Sequence, residues 1–469
     1  MNGRGDYDAC KAPECNALEP SVAAIRHRFA RAWREATFRY GVESRRCVRS
    51  VYTGLIKPVE GMMHAAERAR RIDAEYADCD RRSLFEIPSG VTYLDGNSLG
   101  ALPRAAHEHV EHTVRNEWGQ GLIRSWNTAD WIHLPQRTGD RIAPLLGAAA
   151  GQVIAADSTS LNLYKVLHAA LGLREDRETV VTDCDNFPTD LYVIDRVSAQ
   201  RGLQVRDVQR KEILGVLNED VAVLTLTHVD YRTSEMADMQ ALTRAAHDVG
   251  ALVIWDLAHS AGAVPLELDA WDVDFAIGCG YKFLNGGPGS PAFLYVAERH
   301  LGTAKQPVEA WMGHAQPFAF DRAYAPAGDI AQFLIGSHPV LGMSSVFGAL
   351  SVFDGLSMQR LHAKSLAMAE LFHDLADEVL VPRGFGVYSH RDSASRGSHV
   401  ALSHTHGYAL VQALIARGII GDFRRPNVMR FGFAPLYNSA EDVITLVEAL
   451  VELVDTDAYD RELGESAVV

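Results

Sequence analysis

The sequence predicts an α/β fold, with a mainly parallel sheet in a large domain and a smaller α+β domain towards the C-terminus. Short apolar runs rich in Val, Leu and Ile recur from residue 179 onward, and helical patterns separate several of them. Two of these runs begin at residues 221 and 251, 30 residues apart, which is the spacing of a strand–helix–strand unit. After Leu341 the apolar spacing becomes helical, and this change indicates a second domain.

Five apolar runs are predicted to form strands of the large sheet. They are Thr179–Thr182, Val221–Thr227, Ala251–Asp256, Val273–Ile277 and Ala292–Val296. Amphipathic helices are predicted over 239–249 and over 440–454, the second of them closing the smaller domain. Because ligands of such sheets lie at the carboxyl ends of the strands, the residues that follow each run are candidates for a site.

Length and composition favour a globular protein of two or three domains. The chain has 469 residues, of which 47% are hydrophobic and 22% are charged, a balance far from that of disordered chains. We predict an N-terminal extension over 1–82, an arm and helices over 83–150, a large domain over 151–340 and a small domain over 341–469. The segments are divided where the charge balance or the spacing of apolar residues changes along the chain.

The charge balance sets the first 82 residues apart. They contain 16 Lys and Arg against 12 Asp and Glu, whereas the remaining 387 residues contain 29 against 48. Four of the six cysteines also lie in this segment. A shift of this kind marks a boundary, and residues 1–82 are interpreted as a poorly ordered extension.

Several function classes are disfavoured. A net charge of −15 argues against generic nucleic-acid binding, which requires a basic face. We find no apolar run of about 18 residues, so no membrane span is predicted. Six cysteines in so long a chain do not form a disulfide framework, and a reduced cytoplasm is the predicted compartment. No metal site is predicted, because His107 and His112 are five residues apart where a zinc helix needs four.

Two residues give the first indication of a catalytic site. Asp256 ends an apolar run, and Lys282 follows the next run inside the Gly-rich loop 280–289. Taken alone, Asp256 is as well explained by a helix cap, and Lys282 by a surface loop. Together they are what pyridoxal phosphate requires, since a lysine bonds its aldehyde and an acid keeps its pyridine nitrogen protonated. The pair therefore predicts this cofactor.

Other motifs make the pattern more specific. The stretch Trp255–Tyr295 resembles that of the kynureninases, within the aminotransferase class V superfamily. Further segments resemble the same family in consistent order across 84–455, namely Tyr93–Gly100, Trp118–Trp131, Ser158–Tyr164, Asn186–Asp190, Asp422–Pro426 and Arg430–Tyr437. The resemblance does not cover residues 1–82. It implies a fold type I enzyme with a seven-stranded, mainly parallel sheet, and pyridoxal 5'-phosphate as the cofactor.

The resemblance also implies roles for individual residues. Lys282 is expected to bond the cofactor and to move protons at the substrate α-carbon, and Arg430 is expected to bind the substrate carboxylate. Asp256 is expected to pair with the pyridine nitrogen. The other residues implied at the cofactor of the same subunit are Asp190, Phe187 at the ring face, and Thr159, Ser160, Thr227, His259 and Tyr281 towards the phosphate end. Trp311 and Ser337 are expected to reach the phosphate from the neighbouring subunit of a homodimer with composite active sites.

The implied reaction is hydrolysis of the Cβ–Cγ bond of L-kynurenine, of 3-hydroxy-L-kynurenine, or of both, with Tyr281 as part of the acid–base machinery. The products would be anthranilate or 3-hydroxyanthranilate, together with L-alanine. One alternative is a cysteine desulfurase or selenocysteine lyase, which needs a cysteine in the C-terminal domain. No cysteine lies beyond Cys279, which disfavours it. A second alternative, a pyridoxal-phosphate-binding regulator without turnover, would carry a helix-turn-helix domain at its N-terminus, and residues 1–82 lack that pattern.

Overall fold

The structure is a computed structural model that describes residues 60–461 and 463. The strands in the first part of the chain are β1 (Thr92–Tyr93), β2 (Val153–Ala155), β3 (Thr179–Asp183), β4 (Gln204–Val208), β5 (Val221–Thr227), β6 (Leu252–Asp256), β7 (Phe275–Gly278) and β8 (Phe293–Val296). All but β1 form one seven-stranded sheet in the spatial order β2-β8-β7-β6-β5-β3-β4. Strands β3 to β7 are parallel, and β8 is antiparallel to both neighbours. The predicted mainly parallel seven-stranded sheet is therefore confirmed.

The sheet is buried on both faces, as parallel sheets usually are. Every residue of β5, β6 and β7 is buried, and successive residues point into different clusters: Val253 into one and Ile254 into the other. The α-helices of this part of the chain are α1 (Glu60–Glu75), α2 (Arg104–His112), α3 (Ser125–Thr128), α4 (Leu134–Ile142), α5 (Thr159–Gly172), α6 (Pro188–Arg201), α7 (Ile213–Val216) and α8 (Met239–Asp248). Because apolar strands are covered on both sides, only the strand ends can present polar groups to a ligand.

A second sheet forms the smaller α+β part. Its strands are β9 (Gly386–Val387), β10 (His399–Ser403), β12 (Asp422–Arg424) and β13 (Val428–Gly432), whereas β11 (Ile419–Ile420) pairs with β1. The order is β12-β13-β10-β9, and all pairings are antiparallel. The helices here are α9 (Val340–Ala349), α10 (Met358–Leu375), α11 (Gly407–Ala416) and α12 (Ala440–Asp455). The smaller C-terminal α+β domain is thus confirmed as part of the fold class.

Helix α1 packs against this second part, although the sequence assigns it to the extension. Ala65, Ala69 and Ile72 are buried in one cluster with apolar residues of α10 and α12. Asp73 accepts a hydrogen bond from the main-chain N–H of Ala440 at 2.7 Å. The described residues 60–82 therefore belong to the folded body, and residues 1–59 of the predicted extension lie outside the described residues. The boundaries predicted at 150 and 340 stay predictions.

The length and apolar character of the helices decide whether the described chain could cross a membrane. No single helix among residues 60–461 is long and apolar enough to cross a membrane. Two segments, Val340–Phe353 and Met358–Arg383, pass that test only together, with a bend of 81° between them. Both segments contribute buried side chains to the core, for example Met343 and Phe372.

Candidate active site

A cavity of about 590 Å³ lies at the carboxyl ends of β3, β5 and β6. This is the position expected of a ligand site in a parallel sheet. Nine of the twelve predicted site residues line the cavity: Thr159, Ser160, Phe187, Asp190, Thr227, Asp256, His259, Tyr281 and Lys282. Trp311, Ser337 and Arg430 do not line it.

The side chains of Lys282 and His259 meet inside this cavity. Lys282 Nζ lies 3.0 Å from His259 Nε2. Burial, and then the charge of Lys282, hold the pKa of His259 well below its ordinary value, so the ring is neutral and Nε2 can accept a hydrogen bond. His259 Nδ1 has no hydrogen-bond partner among the described residues. The imidazole thus presents one free polar atom in a buried position.

Two carboxyl groups form the other polar centre of the cavity. Asp256 ends β6, Asp190 lies in the first turn of α6, and both side chains are buried. Burial and the neighbouring Asp256 charge raise the pKa of Asp190 well above its ordinary value. Burial also raises the pKa of Asp256, while Lys282 opposes that rise. The larger rise for Asp190 favours the proton on Asp190 and the negative charge on Asp256, because two adjacent buried carboxylates cannot both ionise cheaply.

A hydrogen-bonded chain connects this carboxyl pair to the cavity wall. Thr227 is the register partner of Asp256 in the β5–β6 ladder, and its hydroxyl donates to Asn186 Oδ1. The same Asn186 oxygen accepts the main-chain N–H of Phe187 at 2.7 Å, and the Phe187 side chain is 42% exposed. Asn186 was not among the predicted site residues, although it lies in a motif that the sequence singled out.

A helix N-terminus also lines the cavity. Thr159 and Ser160 form the first turn of α5, and the hydroxyl of Ser158 caps the helix by accepting from Leu161 N at 3.4 Å. First-turn N–H groups and hydroxyls at the start of a 14-residue helix suit an anionic group such as a phosphate. One cavity is therefore lined both by a carboxyl pair and by a helix N-terminus suited to an anion.

The lysine loop is held by a close backbone contact. The N–H of Gly100 donates to the main-chain oxygen of Tyr281 at 2.8 Å. A Cβ at position 100 would lie 2.3 Å from the main-chain oxygen of Lys282, so only glycine fits there. Burial, followed by nearby Cys279, raises the pKa of Tyr281 well above its ordinary value. Its phenol is therefore neutral and available as a proton donor.

Arg430 lies behind the cavity wall and is almost fully buried. Its Nε donates to Asp422 Oδ1 at 2.8 Å, and Nη2 donates to the other oxygen of the same carboxylate. Nη1 donates to the main-chain oxygen of Tyr231, a cavity-lining residue whose ring packs edge to face with Phe187 at 5.2 Å. Tyr231 was not predicted. It lies four residues after the end of β5. The expectation that ligands lie at the carboxyl ends of strands could therefore have identified it.

The remaining two predicted residues lie elsewhere in this chain. Trp311 packs with Phe318 and Phe320, its ring centroid 5.7 and 6.2 Å from theirs, and Ser337 is exposed. The structure therefore does not bring Trp311 or Ser337 to the cavity of their own subunit.

The residues present fit the cofactor that the sequence predicts. An amine, a carboxyl pair with a single negative charge and a helix N-terminus surround one cavity. Asp190 Oδ2 and His259 Nδ1 are buried without partners among the described residues. Such unsatisfied buried atoms are costly unless a ligand uses them. The cavity is thus equipped for a ligand with an aldehyde, a basic ring nitrogen and a phosphate.

Comparison with solved structures gives the class. The fold is similar to that of a cysteine desulfurase from Thermococcus onnurineus NA1, with a TM-score of 0.70 at 18% identity over 80% of this chain and 98% of that one. A cysteine desulfurase from Escherichia coli gives a TM-score of 0.67 at 20% identity over 80% and 97%. This fold, with a lysine facing a buried carboxyl pair, defines the fold type I class.

Comparison with curated sequences gives the family. Residues 361–450 match the kynureninase C-terminal domain family. The chain is 46% identical over 395 residues to the kynureninase of Pseudomonas fluorescens, covering 83% of this chain and 95% of that protein. It is 45% identical over 404 residues to that of Burkholderia pseudomallei, covering 85% and 97%. The chain belongs to the kynureninase family, and the predicted resemblance is confirmed.

Proposed function

We propose that the protein is a pyridoxal-phosphate-dependent hydrolase that cleaves the Cβ–Cγ bond of L-kynurenine, of 3-hydroxy-L-kynurenine, or of both. The products are anthranilate or 3-hydroxyanthranilate and L-alanine, which places the enzyme in tryptophan catabolism. The observation that carries this proposal is the approach of Lys282 to the buried pair Asp190 and Asp256 in a member of the kynureninase family. Pyridoxal phosphate, when bound, supplies an electron sink conjugated to the substrate α-carbon.

The carboxyl end of the cavity would hold the pyridine ring. Lys282 would hold the cofactor through its aldehyde, and its amine would move a proton at the α-carbon of the amino acid. Asp256 carries the negative charge of the pair and accepts the pyridinium N–H, with Asp190 beside it. Phe187, half-exposed at the wall, stacks on the ring face.

The helix end of the cavity would hold the phosphate. Thr159 and Ser160 supply first-turn hydroxyl and N–H donors, and a neutral His259 can donate from Nδ1 while Nε2 faces Lys282. Thr227 lies beside Asp256 in the β5–β6 ladder, and its hydroxyl donates to Asn186 Oδ1. Arg430 would bind the substrate carboxylate from behind Tyr231, whose main-chain oxygen it now contacts.

Proton transfer at the substrate ketone is assigned to Tyr281. Hydration of the ketone and release of the aromatic acid both need a group that can give and take a proton. The neutral phenol carries the proton to be donated, and burial, which raises its pKa, makes it a weaker acid and its phenolate a stronger base. Arg430 would fix the substrate carboxylate and so limit the positions that the ketone can take.

A homodimer completes the proposal. Trp311 and Ser337 do not line the cavity of their own chain, and the exposed rings of Phe318 and Phe320 surround Trp311. Both observations suit a segment that reaches the phosphate of the neighbouring subunit. We also place the enzyme in the reducing cytoplasm, which suits the free thiols of Cys79, Cys184 and Cys279.

One assay tests the activity directly. Purified protein loaded with pyridoxal phosphate is given L-kynurenine or 3-hydroxy-L-kynurenine, and the aromatic product is followed by its fluorescence. Lys282→Ala, loaded in the same way, is the matched control and should form no product. Sulfide release from L-cysteine without cleavage of either kynurenine would contradict the proposal and favour a desulfurase.

A further inference from the structure

Arg430 and Asp422 form a buried two-pronged ion pair. The two residues are register partners in the β12–β13 ladder, so their side chains leave neighbouring strands on the same face. Nε of Arg430 lies 2.8 Å from Asp422 Oδ1, and Nη2 contacts Oδ2. Their side chains are 2% and 0% exposed. A planar guanidinium held along one edge by both carboxylate oxygens cannot rotate without breaking two charge-assisted hydrogen bonds.

Asp422 occupies the Nε–Nη2 edge of the guanidinium. The Nη1–Nη2 edge is directed towards the cavity wall. Nη2 contacts Ser98 Oγ at 3.1 Å, and Nη1 donates to the main-chain oxygen of Tyr231. Tyr231 itself lines the cavity, and so does Leu99, the neighbour of Ser98. An arginine presents its five N–H donors in a fixed fork, so the contact with Asp422 determines which donors face the substrate.

The surroundings keep Asp422 ionised and its oxygens in place. Burial opposes its ionisation, but hydrogen bonding to Arg430 and the nearby charges of Arg430 and Arg424 outweigh burial and lower its pKa. Arg424 Nη2 lies 2.8 Å from Oδ2, and the hydroxyl of Ser98 donates to the same oxygen. The carboxylate is thus held by three different side chains.

We propose that Asp422 is a positioning residue, which clamps one edge of Arg430 so that the Nη1–Nη2 edge receives the carboxylate of the amino-acid substrate. Ser98 supports the clamp from the side. This inference rests on the proposed function of Arg430 as the carboxylate partner and deepens it. A buried arginine that already has a carboxylate partner can then bind a second one on its Nη1–Nη2 edge, where the substrate carboxylate would take the place of Ser98 Oγ and the main-chain oxygen of Tyr231.

The test compares two ligands that differ only in the carboxylate. Dissociation constants of L-alanine and L-alaninamide are measured on the loaded enzyme from changes in the visible absorption of the cofactor. For Asp422→Asn, binding of L-alanine should weaken on the order of 10- to 100-fold, the range for losing a hydrogen bond to a charged group. Binding of L-alaninamide should change less than about twofold, because the amide makes no ion pair with Arg430.

A matched control comes from another buried aspartate. Asp274 is 1% exposed and pairs with Arg299 at 2.7 Å, but it lies just before β7, at the opposite edge of the sheet from the cavity. Asp274→Asn should leave the ratio of the two dissociation constants unchanged. If Asp422→Asn fails to fold, Ser98→Ala provides the second variant, with a selective loss for L-alanine of several-fold.

The outcomes separate this inference from the proposed function. An equal loss for both ligands, or tighter binding of L-alanine, would overturn the positioning role, since the first shows general damage and the second shows competition for Arg430. If the wild type cleaves neither kynurenine but Asp422→Asn weakens L-alanine selectively, the proposed reaction fails while the clamp stands. In an active enzyme the KM for kynurenine should rise with the dissociation constant of L-alanine, with kcat within about threefold.

Discussion

The carboxylate of Asp73 accepts the main-chain N–H of Ala440 at 2.7 Å, although 367 residues separate the two. Ala440 is the first residue of α12, where main-chain N–H groups lack partners within the helix. The contact fixes α1 across the C-terminal core, beside the buried Ala65, Ala69 and Ile72. The first helix of the described chain, α1, therefore helps to hold the last helix, α12, in place.

Two truncations test this contact. Removal of residues 1–59 should leave cofactor binding and turnover within a few-fold of the full chain. Removal of residues 1–82 also deletes α1, and exposing its apolar partners should destabilise the protein by at least about 3 kcal/mol. Thermal unfolding of both proteins measures the difference. Equal unfolding temperatures would mean that the packing of α1 contributes little.

Lys282 is expected to be the lysine that bonds pyridoxal phosphate. Its amine lies 3.0 Å from His259 Nε2 within the cavity, whereas the buried Lys165 is paired with Asp157 at 2.7 Å. Borohydride reduction of the loaded protein should fix the cofactor to Lys282, as read by mass spectrometry of its peptide. Lys282→Ala should give no reduced adduct, and an adduct on Lys165 would refute the site.

The pH dependence of stability should contain a contribution from buried His228. Burial, and then the charge of Arg210, lower the pKa of His228 to about 3 from an ordinary 6.5. Between these values the unfolded chain binds a proton that the folded chain does not, so the free energy of unfolding falls as the pH falls below about 6.5 and is fully retained above it. From about pH 6 to pH 5 this loss is roughly 1 kcal/mol per histidine.

The comparison variant for this effect is His228→Asn. Urea unfolding at the two pH values should show a smaller decrease for the variant than for the wild type, by about 1 kcal/mol. The variant also loses the contact between His228 Nδ1 and Ser260 Oγ at 2.9 Å, so it should be less stable at both pH values. An identical decrease in both proteins would show that folding does not change the pKa of His228.

How far the site follows from sequence depends on where each residue lies in the sheet. Asp256 and Lys282 were predicted because each follows an apolar strand, and strand ends of a parallel sheet share one edge. The partnership of Arg430 with Tyr231 joins residues 199 positions apart, and no local pattern reports it. The pairing of Asp422 with Arg430 depends on hairpin register, which the motif alone did not reveal.

The position of α1 shows a different reason for a missed feature. The charge balance of the first 82 residues favoured a separate extension, and that average concealed a local signal. Ala65, Ala69 and Ile72 recur at intervals of four and three residues, which is the apolar stripe of an amphipathic helix. The stripe predicts a buried face, but not that its partner lies near residue 440.

The proposed composite site predicts complementation between two inactive variants. Lys282→Ala removes the cofactor lysine, and Trp311→Ala removes a side chain that we assign to the partner's phosphate end. Mixed under conditions of subunit exchange, the two proteins should regain a fraction of wild-type turnover, because one of the two hybrid sites contains both residues. Neither variant should recover when incubated alone. Light scattering that shows the active enzyme to be a monomer would exclude composite active sites.

The carboxylate role of Arg430 gives the last prediction. A substrate carboxylate that loses its guanidinium partner loses roughly 2–5 kcal/mol, so Arg430→Ala should lower kcat/KM by about 30-fold to several thousand-fold. The visible absorption of the bound cofactor should be unchanged, because Arg430 does not line the cavity that contains Lys282 and the carboxyl pair. Arg430→Lys should recover only part of the loss, since an ammonium offers a point charge in place of a fork.

The structure adds a control to this experiment. Arg430→Ala leaves the buried Asp422 with Arg424 as its remaining ion-pair partner among the described residues, so part of the effect could arise from lost stability. The double variant Arg430→Ala with Asp422→Asn also removes the buried carboxylate charge and should recover thermal stability but not kcat/KM. If activity returned together with stability, Arg430 would serve the fold and the substrate carboxylate would bind elsewhere, for which the adjacent Arg424 is the first residue to test.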